Sequence, residues 1–295
     1  MFPLSVPNRT RHMTTLDLIA SASTRAVVPG LLAVIWYRRR TWSNRWEQPI
    51  TLHLVLLTIG IAVATHLVSV AGPFSQLIYA HGIDTYIGDV AALFGMAVIA
   101  STMLARVSFD DHDAQRLIDQ CVMPIVTLAP ALMFAATLVR TPGPGLRQPE
   151  VLLQPTEGWL PVTDWWHAAY WCVFYTSCAI LASVAAWAVR IIATDERNRA
   201  SAHMWLLAMR FTVFACLIGI INALLPVHLG WLVWLAVALV STIAAAAAFT
   251  SWRRRMKPFR RLLRFTHTTR EERRTLKRNA PIRRHYEGDE PAPAV

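Results

Sequence analysis

Apolar residues in this chain fall in long runs, separated by short polar or proline-rich stretches. Seven runs of about 20 residues or more lie near residues 17–37, 50–71, 85–105, 117–139, 165–189, 204–225 and 229–251. At a helical rise of about 1.5 Å per residue, each is long enough for a hydrocarbon core of about 30 Å. The pattern predicts an all-α membrane protein: a bundle of seven transmembrane helices over residues 17–251, an external tail 1–16 and a basic tail 252–295. The first run is the least regular, because Arg25 interrupts it and Pro29-Gly30 follows. Pro124 and Pro130 fall inside the fourth, where a missing amide kinks a helix. The start lacks the pattern of a cleaved leader. Its strict apolar stretch, Ala26 to Trp36, is followed by Arg38, Arg39 and Arg40, whose charge holds that end in the cytoplasm. Met1 and Met13 both stand as candidate initiators.

Composition agrees with lipid as the solvent. The chain is 55% hydrophobic and 16% charged, with a mean hydropathy of +0.38, against about 25% charged residues in a soluble domain. The net charge of +11 is concentrated at one end: Arg253 to Val295 holds 14 Lys/Arg and 5 Asp/Glu, which leaves 15 and 13 for the rest. A basic segment just after a membrane span suits anionic lipid better than nucleic acid.

The same charges set an orientation. Segments after the first, third, fifth and seventh runs hold 4, 2, 3 and 14 Lys/Arg; the N-terminal tail and the segments after the second, fourth and sixth hold 2, 0, 2 and 0. The positive-inside rule therefore predicts N-out and C-in, at a multi-pass position in the cell (plasma) membrane. Tryptophans mark both boundaries: Trp36, Trp42, Trp46, Trp187, Trp205 and Trp252 at the inner one, Trp159, Trp165, Trp166, Trp231 and Trp234 at the outer one, with Trp171 deeper.

Ionisable residues inside apolar runs are costly and point to function. The outer halves of the runs carry Arg25, His66, Asp89, His167 and Asn222, about 4–12 Å below the surface by helical rise. Two readings stand side by side. They converge on one outer-facing polar pocket that binds a small solute, with Arg25 and Asp89 compensating each other. Alternatively, Arg25 snorkels to water and Asp89 finds a local partner. On the inner side lie His53, Asp119, His203 and Arg210, where Asp119 and Arg210 either pair or stay separate at the boundary. Small residues four apart in the fifth run, Ala179 with Ser183 and Ala182 with Ala186, permit close helix approach within the bundle or in a homo-oligomer. Cys121, Cys172, Cys178 and Cys216 lie inside apolar runs at no metal or redox spacing and read as small core residues.

The tail opens WRRRMKPFRRLLRFTH, in which Arg253, Arg254, Arg255, Lys257, Arg260, Arg261 and Arg264 interleave with apolar side chains. That pattern suits a helix on an anionic leaflet, or contact with a cytoplasmic protein partner. No Walker A, GxSxG, HExxH or GxGxxG string occurs, no cofactor is implied, and residues 229–251 contain no lysine for a retinal Schiff base.

The basic turn YRRRTWSNRWEQP, the string AGPFSQLIYAHGIDTYIGDVAALFGM leading into the third run, and the turn RIIATDERNRASAHMWLLAMR resemble an actinobacterial family of seven-helix integral membrane proteins, over roughly Leu16 to Arg255. The family is described as transporters whose substrates are not known. The resemblance implies a transporter-like role and carries over no catalytic residues. Two functions follow as expectations: a small-solute transporter or binder using the outer pocket, or a non-transporting sensor or scaffold that signals through the basic tail.

Overall fold

The computed structural model describes residues 15–43, 47–65, 83–139, 165–196, 199–225 and 229–266. Among them every regular element is a helix. Helix α1 (Thr15–Tyr37) leads through a 3-10 turn (Arg39–Ser43) to α2 (Gln48–Ala64); α3 (Ile83–Val107), α4 (Asp111–Cys121), α5 (Met123–Val139), α6 (Trp165–Ile192), α7 (Arg199–Leu224) and α8 (Gly230–Thr266) follow. Six stretches are long and apolar enough to cross a membrane: Leu18–Tyr37, Thr85–Val107, Asp111–Val139, Trp165–Ile192, Arg199–Leu224 and Gly230–Arg253. The chain divides into two units, Met1–Phe249 and Thr250–Val295, and the bundle belongs to the first.

Two elements depart from the sequence pattern for local reasons. Helix α2 is apolar but has 17 residues, about 25 Å of helix. It stops at Ala64, where the Thr65 amide and hydroxyl both turn back to the Ile61 carbonyl; residues 66–71 of the expected span lie outside the described residues. The expected fourth span begins earlier and in two pieces. The Asp110 side chain accepts from the Asp113 amide at 2.7 Å and so caps α4 at its N-terminus. Val122 then interrupts the helix two residues before Pro124, whose ring nitrogen has no hydrogen to continue the ladder. Pro29 and Pro130 sit inside unbroken helices.

Packing is closest where side chains are smallest. Helix α2 lies on α3 across Gly60 and Gly88, where an added Cβ at Gly60 would come within 2.9 Å of the Gly88 carbonyl oxygen. Helix α6 lies on α7 and carries a fully buried edge of Leu181, Ala182, Ala185 and Ala188. That edge is offset from the pairs expected from spacing: Ala182 is in it, but Ser183 is exposed and donates to its own helix at Ala179. Helix α8 buries Ala244, Ala247 and Ala248 and reaches α1 where the buried Thr24 hydroxyl stands 3.1 Å from the Trp234 carbonyl oxygen. Trp205, expected in a boundary belt, is buried edge-on to His53 at 6.1 Å. Trp36, Trp42, Trp165, Trp166 and Trp187 are exposed at the helix ends, as amphipathic rings at a headgroup boundary are.

Candidate functional site

Five helices each turn one stripe toward a common cavity of about 150 Å³. On α3 the stripe is Thr85, Asp89, Ala92 and Met96; on α6 it is Trp171, Phe174, Tyr175 and Cys178; on α8 it is Val233, Val237, Ser241 and Ala244. These three- and four-residue steps are the helical repeat. Helices α2 and α7 complete the wall, the former with His53, Leu57, Ile61 and Ala64. From His53 to Ala64, from Thr85 to Met96 and from Val233 to Ala244 the rise is about 16 Å each, so the cavity runs through the middle of the bundle.

The wall is mainly apolar, and its polar groups divide into two classes. Some are satisfied by the protein. The Tyr170 hydroxyl donates to Asp89 Oδ2 at 2.7 Å. His53 Nδ1 stands 2.7 Å from the Gly95 carbonyl; a carbonyl only accepts, so Nδ1 carries the hydrogen and Nε2 the lone pair of the neutral ring. Thr212 donates to Ala208 in its own helix. Three others have no hydrogen-bond partner among the described residues: Thr85 Oγ1, Trp171 Nε1 and Ser241 Oγ. All three residues are buried and all three line the cavity. Unmatched buried groups are rare in native structures and call for an explanation.

Aromatic packing holds the α6 stripe in place. Trp171 stacks on Tyr175 at 5.5 Å and 22°, and Tyr170 meets Trp171 edge-on at 5.3 Å. Tyr175 also fills the space left by the missing side chain of Gly219 on α7, where a Cβ would lie 2.5 Å from the ring.

Of the four described residues among the five expected to share an outer pocket, Asp89 alone lines this cavity. Arg25 is exposed on α1, so the expected Arg25–Asp89 pair is replaced by the Tyr170–Asp89 hydrogen bond. The difference is one of helix phase: Arg25 falls on the outer side of α1, next to the buried Thr24. His167 is half-buried, edge-on to Trp171 at 6.2 Å. Asn222 is buried, with its side-chain oxygen accepting from the Leu229 amide at 2.9 Å, and so ties the end of α7 to the start of α8. His66 lies outside the described residues. His53, placed by sequence with the inner polar set, joins the cavity instead. Asp119 is exposed and accepts from Gln115 at 2.8 Å, and Arg210 is exposed on α7; the two do not pair. Arg253 of the expected lipid-facing set is exposed, and the side chains of the rest of that set lie outside the described residues.

A second polar cluster closes the end of the bundle that carries the α1–α2 turn. Arg38 and Glu47, both fully buried, form an ion pair at 2.8 Å. Arg38 also donates to the Ala248 carbonyl on α8 at 2.6 Å and to the Thr51 hydroxyl at 3.2 Å. The Arg106 guanidinium reaches the other Glu47 oxygen at 4.0 Å. Sequence reasoning read Arg38 only as one of several cytoplasmic charges. The available signal was a glutamate nine residues on, at the mouth of the next apolar run. Among the described residues no group of three His, Cys, Asp or Glu is placed to hold a metal ion.

Comparison of the chain with protein families, with curated proteins and with solved structures finds no match.

Proposed function

We propose that this chain is a transporter-like, multi-pass protein of the cell membrane that binds a small solute in the cavity between α2, α3, α6, α7 and α8. One observation carries the reading: three buried polar groups without partners face a single apolar-walled cavity that also holds the Asp89 carboxyl. Each unmatched group costs about 1–3 kcal/mol, and a ligand with the complementary groups recovers it. An apolar wall with a few convergent polar atoms is the usual make-up of a small-molecule site. The volume is below the range of about 300–1,000 Å³ typical of drug-sized ligands, which sets the solute at roughly the size of one substituted ring.

The test is direct binding of benzyl alcohol to the detergent-solubilised chain, followed through tryptophan fluorescence, since Trp171 and Trp234 line the cavity. Saturable binding is expected, and Val237→Phe, which fills the wall from α8, should abolish it. Equal binding by both proteins would place the probe elsewhere and sink the proposal. Excess uptake of labelled probe into proteoliposomes over the Val237→Phe variant identifies carriage; binding without it assigns the chain to sensing.

The proposal includes seven spans with N-out, C-in orientation. Lys/Arg counts support it even without the tail, 9 on one set of turns against 4 on the other. Cysteine at Gly143 should react with an impermeant reagent added to intact cells, and cysteine at Asn198 should not. The reverse pattern overturns the orientation.

A further inference from the structure

We infer that the cavity is a site for a small organic cation, a primary amine on a ring-sized apolar body, bound as its ammonium to Asp89. The inference rests on the solute-binding reading above and adds the chemical class of the solute.

Among the described residues Asp89 is the acidic side chain in the cavity wall. Tyr170 occupies one carboxyl oxygen, Oδ2, and no described residue donates to the other. Among the described residues, the ion pairs formed by arginine both go to Glu47, at the far end of the bundle, and none reaches Asp89. A carboxylate buried without a countercharge is strongly disfavoured, and a cationic ligand supplies that countercharge. Thr85 stands one helical turn from Asp89 on the same face of α3, and its hydroxyl oxygen is unpartnered. Carboxyl and hydroxyl together offer two acceptors to the three hydrogens of an ammonium group.

The rest of the wall selects among cations. A metal ion needs several oxygen ligands, whereas the wall that Asp89 shares is rich in aromatic rings, Trp171, Phe174, Tyr175 and Trp234. Aromatic faces attract an organic ammonium and pack against its apolar body. An anionic solute would find donors in Trp171 Nε1 and Ser241 Oγ, but it would share a low-dielectric space with the Asp89 carboxyl, where like charges repel most strongly. Ser241, on α8, supplies a further unpartnered hydroxyl to the same wall, for a second polar substituent on the ring.

The experiment compares benzylammonium with its neutral counterpart, benzyl alcohol, on the full chain and on Asp89→Asn. Benzylammonium should bind more tightly than benzyl alcohol to the unaltered protein. Asp89→Asn should weaken benzylammonium by roughly 30-fold or more, the loss seen when one member of a buried charge pair is removed, and leave benzyl alcohol within about threefold. Thr85→Val should weaken the amine selectively by a smaller factor. If Asp89→Asn fails to yield monodisperse protein, the amine-to-alcohol preference of the unaltered chain and its reduction in Thr85→Val decide the question. Equal affinity for the two probes, unchanged by either variant, overturns the cation assignment while leaving the binding cavity intact. Failure of both probes to bind overturns the solute-binding reading itself.

Discussion

Arg38→Leu should lower the stability of the solubilised chain by about 3–5 kcal/mol, the range for stranding one member of a buried ion pair. Arg38 and Glu47 are both fully buried, and their contact at 2.8 Å is the shortest ion pair among the described residues. Without Arg38, the Glu47 carboxylate loses its 2.8 Å ion pair, with the Arg106 guanidinium farther off at 4.0 Å, and the Ala248 carbonyl loses a donor at 2.6 Å. Glu47→Leu should cost less, because Arg38 would still donate to the Ala248 carbonyl and to Thr51. The double variant should recover part of the larger loss, since a leucine pair strands no charge. Thermal unfolding of all four proteins closes the cycle. Strictly additive effects would mean that the two side chains do not depend on each other, contrary to their geometry.

The second large effect is expected at Gly219→Ala. Helix propensity alone favours alanine over glycine by about 1 kcal/mol, so a neutral site would gain. At Gly219 the new methyl would lie 2.5–2.7 Å from three ring carbons of Tyr175. The ring has little room to retreat, because it stacks on Trp171 and meets Phe174 at 5.2 Å. Overpacking of this kind costs about 1–3 kcal/mol. The net result should be a lower unfolding temperature, together with weaker probe binding, because Tyr175 forms part of the cavity wall. Tyr175→Leu in the same chain should relieve the clash. Gly30→Ala on α1 serves as the control: nothing lies within 4 Å of its added methyl, and the substitution should be neutral or stabilising. Equal effects at Gly219 and Gly30 would refute the packing argument.

The helices were legible in the sequence because lipid allows few alternatives: an uninterrupted apolar run of sufficient length has to satisfy its own backbone. Their rotation was not. Runs apolar on every side carry no phase, so sequence could place Arg25 and Asp89 in the outer halves of their runs but could not show Arg25 exposed and Asp89 directed to Tyr170. Asp89 itself was readable from the cost of burying a carboxyl. Its cavity companions Thr85, Trp171 and Ser241 were not, because hydroxyls and indoles are common in membrane helices and only their lack of partners marks them. Arg38 was counted correctly as a basic residue in a turn, but such a count treats all arginines alike; the acceptor that buries this one lies on the last helix of the bundle. The early start of α4 was local information that apolarity hid: Asp110 is an N-cap ahead of a polar first turn.

Two polar contacts tie the first helix and the residue that follows it to α8, Thr24 to the Trp234 carbonyl and Arg38 to the Ala248 carbonyl, each across 210 positions. At a synthesis rate of about 5–20 residues per second, the first helix waits roughly 10–40 s for these acceptors to be made. Glu47, nine residues downstream of Arg38, emerges within about two seconds. The guanidinium therefore acquires its countercharge early and its backbone acceptor last. Arrival of the eighth helix is the event that fixes the first, so a ribosome halted before Ala248 would leave α1 held by its neighbour α2 and open to the cell's membrane quality control.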